Sequence, residues 1–172
     1  MRLVVDAEKC TGCRVCELAC AFHKSGYKLF NPKKSRIKVV DLSNLGFSNP
    51  VACIQCKEPK CVEECPKEAL SKSGIWQTIV LDKEKCDGCG ICVDACPIGA
   101  VDLDEEEGLP LICDLCDGSP VCVEWCATHA LTFSKKLDGS KRRLSYTISK
   151  AKPYLSKWGF PDDALNWHKK FL

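Results

Sequence analysis

Four runs of four cysteines constrain this chain more than any other feature. They read Cys10-x2-Cys13-x2-Cys16-x3-Cys20, Cys53-x2-Cys56-x4-Cys61-x3-Cys65, Cys86-x2-Cys89-x2-Cys92-x3-Cys96 and Cys113-x2-Cys116-x5-Cys122-x3-Cys126. Every run opens with C-x2-C and closes with C-x3-C, so the chain has to be read as an internal repeat. The third run, followed by Pro97, has the bacterial iron–sulfur spacing, in which three close cysteines hold one cubane and the fourth ligates the other cluster of a pair. Its spacing predicts three cysteines on a tight loop and the fourth at the start of a short helix, facing the second cluster. Gly88 and Gly90 allow the loop to double back and leave amide N–H groups free to face cluster sulfur.

Sixteen cysteines in 172 residues are dense enough for a disulfide scaffold, a zinc protein or an iron–sulfur protein. The start, Met1 to Lys9, brings in charge too early for the apolar core of a secretory signal, and no apolar run approaches a membrane span. A cytoplasmic, reducing setting is therefore expected, in which thiols bind metal rather than each other. Structural zinc uses two separated C-x2-C knuckles to close one tetrahedron. Three cysteines packed as C-x2-C-x2-C suit the corners of a cube better. At four thiolates per cluster, sixteen supply four [4Fe–4S] clusters with none left over.

The fold class expected is α+β: two dicluster ferredoxin-like units, one inserted in the other, with a C-terminal docking tail. Short strands are expected at 2–6, at 36–40 with Ile37 and Val39 on one face, in a hairpin around 69–81 that turns at Ser71 to Gly74, at 98–103, and at 130–133. Asn44, Gly46 and Pro50 mark loop. Runs two and three lie close together and both end in Cys-Pro, so they form a unit of their own at 51–97. Runs one and four are left to form the outer unit, 1–50 with 98–134. The strands at its two ends could then close it. This pairing gives cluster A Cys10, Cys13, Cys16 and Cys126, and cluster B Cys20, Cys113, Cys116 and Cys122. Cluster C takes Cys53, Cys56, Cys61 and Cys96, and cluster D takes Cys65, Cys86, Cys89 and Cys92. The alternative, one with two and three with four, uses the same sixteen ligands. Val15, Leu18, Ile54, Val62, Ile91, Val93 and Val123 are the expected apolar shields.

The net charge of +2 points to no nucleic-acid partner, but the charge is uneven. Residues 21–40 hold six basic residues and no acid. Residues 102–107 hold five acids, and 135–157 are again basic. Such stretches either steer docking or are solvated faces that offset the anionic clusters. The tail, 135–172, has no cysteine but carries Trp158, Phe160, Leu165, Trp167, Phe171 and Leu172, which suit packing on the body or docking on a partner. No catalytic constellation is evident. His23, His129 and His168 are scattered, Asp87, Asp94 and Asp114 read as surface acids, and no glycine-rich nucleotide motif is present.

The four runs together resemble the iron–sulfur subunit family of molybdenum and tungsten oxidoreductases, to which the subunits of dimethyl-sulfoxide reductase, nitrate reductase and formate dehydrogenase belong. The resemblance covers about residues 1–134 and all sixteen ligand positions. Ala127 stands where many relatives have proline. It implies the same pairing of runs, and a non-catalytic wire that passes single electrons between a large tungsten- or molybdenum-pterin catalytic subunit and a further carrier. That carrier would be a ferredoxin, a flavoprotein subunit or a hydrogenase. In its compact size and tail the chain is most similar to the small ferredoxin subunits that accompany tungsten aldehyde oxidoreductases. A free polyferredoxin, or an accessory protein for a hydrogenase or formate dehydrogenase, is the alternative.

Overall fold

Each cysteine run generates one helix. α1 (Val15–Lys24), α2 (Lys60–Glu63), α3 (Ile91–Asp94) and α4 (Val121–Glu124) begin just before the third cysteine of their runs. The computed structural model describes residues 2–42 and 46–134. The length of the middle loop decides how each helix starts. Where two residues separate the second and third cysteines, the residue before the helix is left-handed: Arg14 at φ 59° and Gly90 at φ 80°. The longer middle loops of runs two and four deliver Pro59 and Pro120 to that place, with φ already set near the helical value. The third cysteine thus lies on the helix in every run. The fourth follows the helix in runs two to four and lies inside α1 in run one, which corrects its expected place at a helix start.

Eight strands complete the described fold: β1 (Arg2–Val5), β2 (Ile37–Leu42), β3 (Phe47–Ala52), β4 (Leu70–Ser73), β5 (Thr78–Leu81), β6 (Asp102–Leu103), β7 (Pro110–Leu111) and β8 (Leu131–Ser134). They form four two-stranded antiparallel sheets, β1–β8, β2–β3, β4–β5 and β6–β7. β1 and β8 pair from Arg2 opposite Ser134 to Val5 opposite Leu131, so the two ends of the described chain close on each other. Isolated two-stranded ribbons are marginal, and here each is held by what it packs against.

Two small apolar cores do that work. Leu3, Ile37, Val39, Ala52, Leu115 and Leu131 surround Cys16, Cys20 and Cys122. Leu70, Ile79, Val101 and Ile112 surround Cys53, Cys61 and Cys92. Cys113 packs against both. Each fully buried Leu or Ile contributes about 1.5–3 kcal/mol, and a core this thin is expected to lean for stability on whatever its cysteines hold. The tip of the β4–β5 hairpin reaches the first core. Trp76 packs 5.7 Å from Phe133 between ring centroids and covers Gly118 so closely that no Cβ fits there.

Several local expectations shift. Pro50 lies inside β3 opposite Val39 rather than in a loop. The Val39 N–H donates instead to a Glu17 carboxylate oxygen at 2.5 Å, so the pair does not need a donor from proline. Ser71 belongs to β4, and the hairpin turns one step later, through Gly74 at φ 71° and Gln77 at φ 51°. The expected strand 98–103 shrinks to β6, because Gly99 at φ 60° continues the turn that follows Cys96. Ile91 is 40% exposed and shields only on its inner side. The aromatic tail falls outside the described residues.

Among the described residues, several of the uneven charges are paired with each other, and the basic stretch 135–157 lies outside the described residues. The basic stretch after α1 clasps the acidic stretch after β6. Lys33 reaches Glu105 at 2.6 Å, Lys34 reaches Asp104 and Glu106 at 2.7 Å, and Lys38 approaches Asp102 at 3.8 Å. The exposed pairs contribute little. Asp104 is buried, and the Lys34 ammonium hydrogen-bonded to it holds its carboxyl below the usual carboxylate range.

Candidate metal centres

The residue before the second cysteine is left-handed in all four runs: Gly12 at φ 71°, Gln55 at 53°, Gly88 at 73° and Leu115 at 60°. For a residue with a side chain this costs about 1–2 kcal/mol. Gln55 and Leu115 hold it because they are 2% and 0% exposed. The bend turns the amide N–H inward. Those of Gly12, Gln55 and Leu115 donate to the sulfurs of Cys10, Cys53 and Cys113. The closing cysteines are served in the same way. Ala69 N–H donates to Cys65 Sγ at 3.4 Å, Ala100 N–H to Cys96 Sγ at 3.3 Å, and Arg36 N–H to Cys20 Sγ at 3.3 Å. Backbone amides of Thr128, Ala130 and Leu131 face Cys126. Such bonds favour the thiolate and tune a bound cluster.

All sixteen cysteines are unbridged thiols. One cavity is lined by Cys65, Cys86, Cys89 and Cys92, with Leu70, Ile91 and Leu103 among its apolar walls. Another is lined by Cys20, Cys113, Cys116 and Cys122, with Leu3, Ile37 and Leu115. Cys10 lies within electrostatic reach of Cys13 and Cys126, and Cys16 of Cys10 and Cys13. Cys53 lies similarly near Cys113, Cys56 and Cys61, and Cys61 near Cys96 and Cys56. Among the described residues no three His, Cys, Asp or Glu side chains are arranged to hold a single ion. The two cavities instead set cysteines around a volume, as a four-iron body with one ligand per iron requires.

Burial pushes the thiols up: Cys16 to about 12, with the Glu17 carboxylate adding to the effect, Cys113 to about 12 and Cys92 to about 11. Cys53 and Cys122 are raised by burial as well. Grouped thiolates in apolar walls repel one another unless cations lie between them, so these positions suit a metal cluster that takes the place of the protons. Of the sixteen, Cys13 and Cys89 alone are exposed.

The remaining polar residues shape loops. Asp87 accepts the Cys89 N–H at 3.3 Å, and Asp114 accepts the Cys116 N–H at 3.0 Å and pairs with Lys24 at 2.5 Å. Burial alone would raise the Asp114 carboxyl, but Lys24 outweighs it and the carboxyl lies below its usual range. Asp114 is thus a half-buried turn residue rather than a surface acid. His23 Nδ1 contacts the Tyr27 hydroxyl at 2.8 Å on an exposed face. His129 is left-handed and closes the turn after Cys126. His168 lies outside the described residues.

Two side chains stand out that the cysteine spacing did not flag. Gln55 bridges the two cores: its Nε2 donates to the Cys113 carbonyl at 2.6 Å while its Oε1 accepts the Ile79 N–H at 3.1 Å. Glu17, 3% exposed, ties α1 to β2 through Val39. A signal for Glu17 was present. Runs two to four carry an acid at the second position of C-x3-C, as Glu63, Asp94 and Glu124, whereas run one carries it at the first. One residue is about 100° around a helix, which turns Glu17 inward while the other three stay exposed. Its carboxylate beside Cys16 disfavours the extra negative charge of a reduced cluster, and half-exposed Arg14 at 3.3 Å offsets only part of this. Glu17→Gln keeps the acceptor for Val39 and is expected to raise one reduction potential in an EPR-monitored titration, with iron content unchanged. An unmoved potential would sink this role. Glu17→Leu, which strands the Val39 N–H, is expected to cost about 1–3 kcal/mol.

Comparison with known proteins fits this chemistry. Residues 46–136 match the model of the 4Fe-4S dicluster domain, and residues 7–23 match that of a 4Fe-4S binding domain. The aliphatic sulfonate oxidoreductase, polyferredoxin-like subunit, of Pyrococcus furiosus is 38% identical over 113 residues, 66% of this chain and 64% of that protein. One component of the anaerobic dimethyl sulfoxide reductase of Escherichia coli is 32% identical over 126 residues, 64% of this chain and 58% of that protein. The electron transport protein HydN of Escherichia coli is 32% identical over 104 residues, 59% of this chain and 58% of that protein. In each case the match spans less than two thirds of the relative. With left-handed cysteine loops, sulfur-directed amides and thiols grouped around apolar cavities, the chain belongs to the 4Fe-4S dicluster domain family and is an iron–sulfur electron-transfer protein of the ferredoxin type.

Proposed function

We propose that this chain is the non-catalytic electron-transfer subunit of a hetero-oligomeric oxidoreductase and carries four [4Fe–4S] clusters on its sixteen cysteines. Cluster A takes Cys10, Cys13, Cys16 and Cys126; B takes Cys20, Cys113, Cys116 and Cys122; C takes Cys53, Cys56, Cys61 and Cys96; D takes Cys65, Cys86, Cys89 and Cys92. The observation that carries this reading is the gathering of sixteen unbridged thiols, two sets of which line separate cavities. The pairing of β1 with β8 and the packing of α1 on α4 support an outer unit, 1–50 with 98–134, around an inserted unit, 51–97. The packing of α2 on α3 supports the inserted unit. The exposure of Cys13 and Cys89 supports clusters A and D as the points where electrons enter and leave.

The partner is a large tungsten- or molybdenum-pterin catalytic subunit that oxidises or reduces an aldehyde, with a ferredoxin, flavoprotein or hydrogenase as the further carrier. The Pyrococcus relative, named as a subunit of an aliphatic sulfonate oxidoreductase, supports a role beside a catalytic chain. Among the described residues no helix is long and apolar enough to cross a membrane. A cytoplasmic setting suits so many unbridged thiols. The 135–172 tail is assigned to docking on the catalytic subunit. The test is a metal inventory of the complex purified from its own cells. About sixteen irons per chain, with stoichiometric tungsten or molybdenum, is the expected result. Iron alone, on a chain that runs by itself, would overturn the subunit role, and zinc without iron would overturn the clusters.

A further inference from the structure

The cavity lined by Cys20, Cys113, Cys116 and Cys122 is also lined by Lys24 and Arg36, whereas the cavity around Cys65, Cys86, Cys89 and Cys92 has Lys67 as its one basic residue. Lys24 and Arg36 are not equivalent. Lys24 pairs with Asp114 at 2.5 Å, which offsets part of its charge, although it still favours the Cys116 thiolate. Arg36 is held less directly: its guanidinium lies within electrostatic reach of Asp114, but its Nη1 is buried and has no hydrogen-bond partner among the described residues. Its backbone N–H donates to Cys20 Sγ, so the residue is fixed at the cavity by its main chain. A buried charged donor without a partner is costly, and its persistence calls for an anionic neighbour. A cluster with four thiolate ligands is such an anion, and it becomes one unit more negative when it accepts an electron.

We propose that Arg36 is the residue that raises the reduction potential of the cluster held by Cys20, Cys113, Cys116 and Cys122, making that cluster the one on which electrons settle in this chain. The proposal rests on the four-cluster reading above. The physical reason is the sign of the interaction. A fixed positive charge in a poorly hydrated wall stabilises the reduced cluster more than the oxidised one, and salt screens it little there. In the same outer unit, the Glu17 carboxylate beside Cys16 acts with the opposite sign. Neighbouring clusters are therefore pushed apart in potential, and a single electron moves from the Cys16 side to the Cys20 side with no bond broken and no proton transferred. Arg36 is a positioning residue for charge and ligates nothing.

The test is a dithionite titration followed by EPR on the full chain loaded with clusters, together with its iron content. Arg36→Met is expected to keep its iron and to lower the highest of the midpoints. The reduced-to-oxidised ratio at fixed potential should fall about tenfold, which is about 59 mV for one electron. The signal that moves should be the one that Cys116→Ser removes. Arg36→Lys, which keeps the charge, should recover part of the shift. An unmoved highest midpoint with iron intact would overturn the proposal, and so would an Arg36→Lys shift as large as that of Arg36→Met. If Arg36→Met loses iron, Arg36→Gln carries the test; iron lost from both would mean that Arg36 builds the site, which also overturns the proposal. Wild-type protein with far fewer than about sixteen irons would instead sink the four-cluster reading.

Discussion

Cys65→Ser is expected to remove or convert the cluster on Cys86, Cys89 and Cys92, and to leave the one on Cys53, Cys56 and Cys61, although Cys65 follows those last three in sequence. Helix α2 ends at Glu63, and the chain turns so that Cys65 lines the same cavity as Cys86, Cys89 and Cys92. Its sulfur is oriented by the Ala69 N–H, which belongs to the turn leading into β4 rather than to the run-two loop. Serine keeps the volume but replaces a soft thiolate with a weakly acidic hydroxyl, a poor iron ligand at neutral pH. EPR of the reduced protein should show one signal lost or changed and three retained, with about one to four irons fewer per chain. Loss of the Cys53, Cys56 and Cys61 signal alone would show that each run is self-contained, and would refute the crossed assignment of Cys65 and Cys96.

Gly88→Ala is expected to do comparable damage without touching a ligand. Gly88 sits between Cys86 and Cys89 at φ 73°, and a Cβ there would stand 2.7 Å from the Gly108 carbonyl oxygen. The left-handed conformation costs alanine about 1–2 kcal/mol. The contact is with backbone, in the turn between β6 and β7, so it cannot be relieved by a side-chain rotation. The loop has to move away from the cavity it shares with Cys65, and about four irons should be lost on purification. Gly74→Ala is the control. It has φ 71° but nothing within 4 Å, so it should lose about 1–2 kcal/mol of stability and no iron. Equal iron loss from both variants would mean that strain alone, and not the approach to Gly108, governs the site.

Much of the site could be read from spacing, because a cubane needs its ligands a few residues apart and a run of cysteines has few other uses in a reducing setting. The short β-branched stretches put β1 and β2 within a residue or two of where they lie, and the end strand β8 also lies within one residue of its expected place. Spacing is silent about backbone handedness where the residue is not glycine. Nothing in Cys53-Ile54-Gln55-Cys56 or Cys113-Asp114-Leu115-Cys116 announces the left-handed bend that Gly12 and Gly88 advertise openly. There the bend is imposed by burial of Gln55 and Leu115, a property of the packed molecule. β6 and β7, two residues each, were too short to carry a period.

Local sequence also concealed the charge arrangement. Lys34 and Asp104 are 70 residues apart and become partners only when the segments after α1 and β6 meet. The metal chemistry is legible along the chain: sixteen soft ligands, their grouping in fours, and glycines at two of the four tight bends. A thiolate's affinity for iron and the reach of a short loop are local properties, and local properties are written in adjacent residues. Only in the folded molecule does Glu17 become buried beside Cys16, and only there does the Arg36 guanidinium carry an unpartnered nitrogen at the cavity of Cys113 and Cys116. Those choices depend on long-range pairing, above all β1 with β8, and the electrostatic environment of each site is the sum of charges that only that pairing brings together.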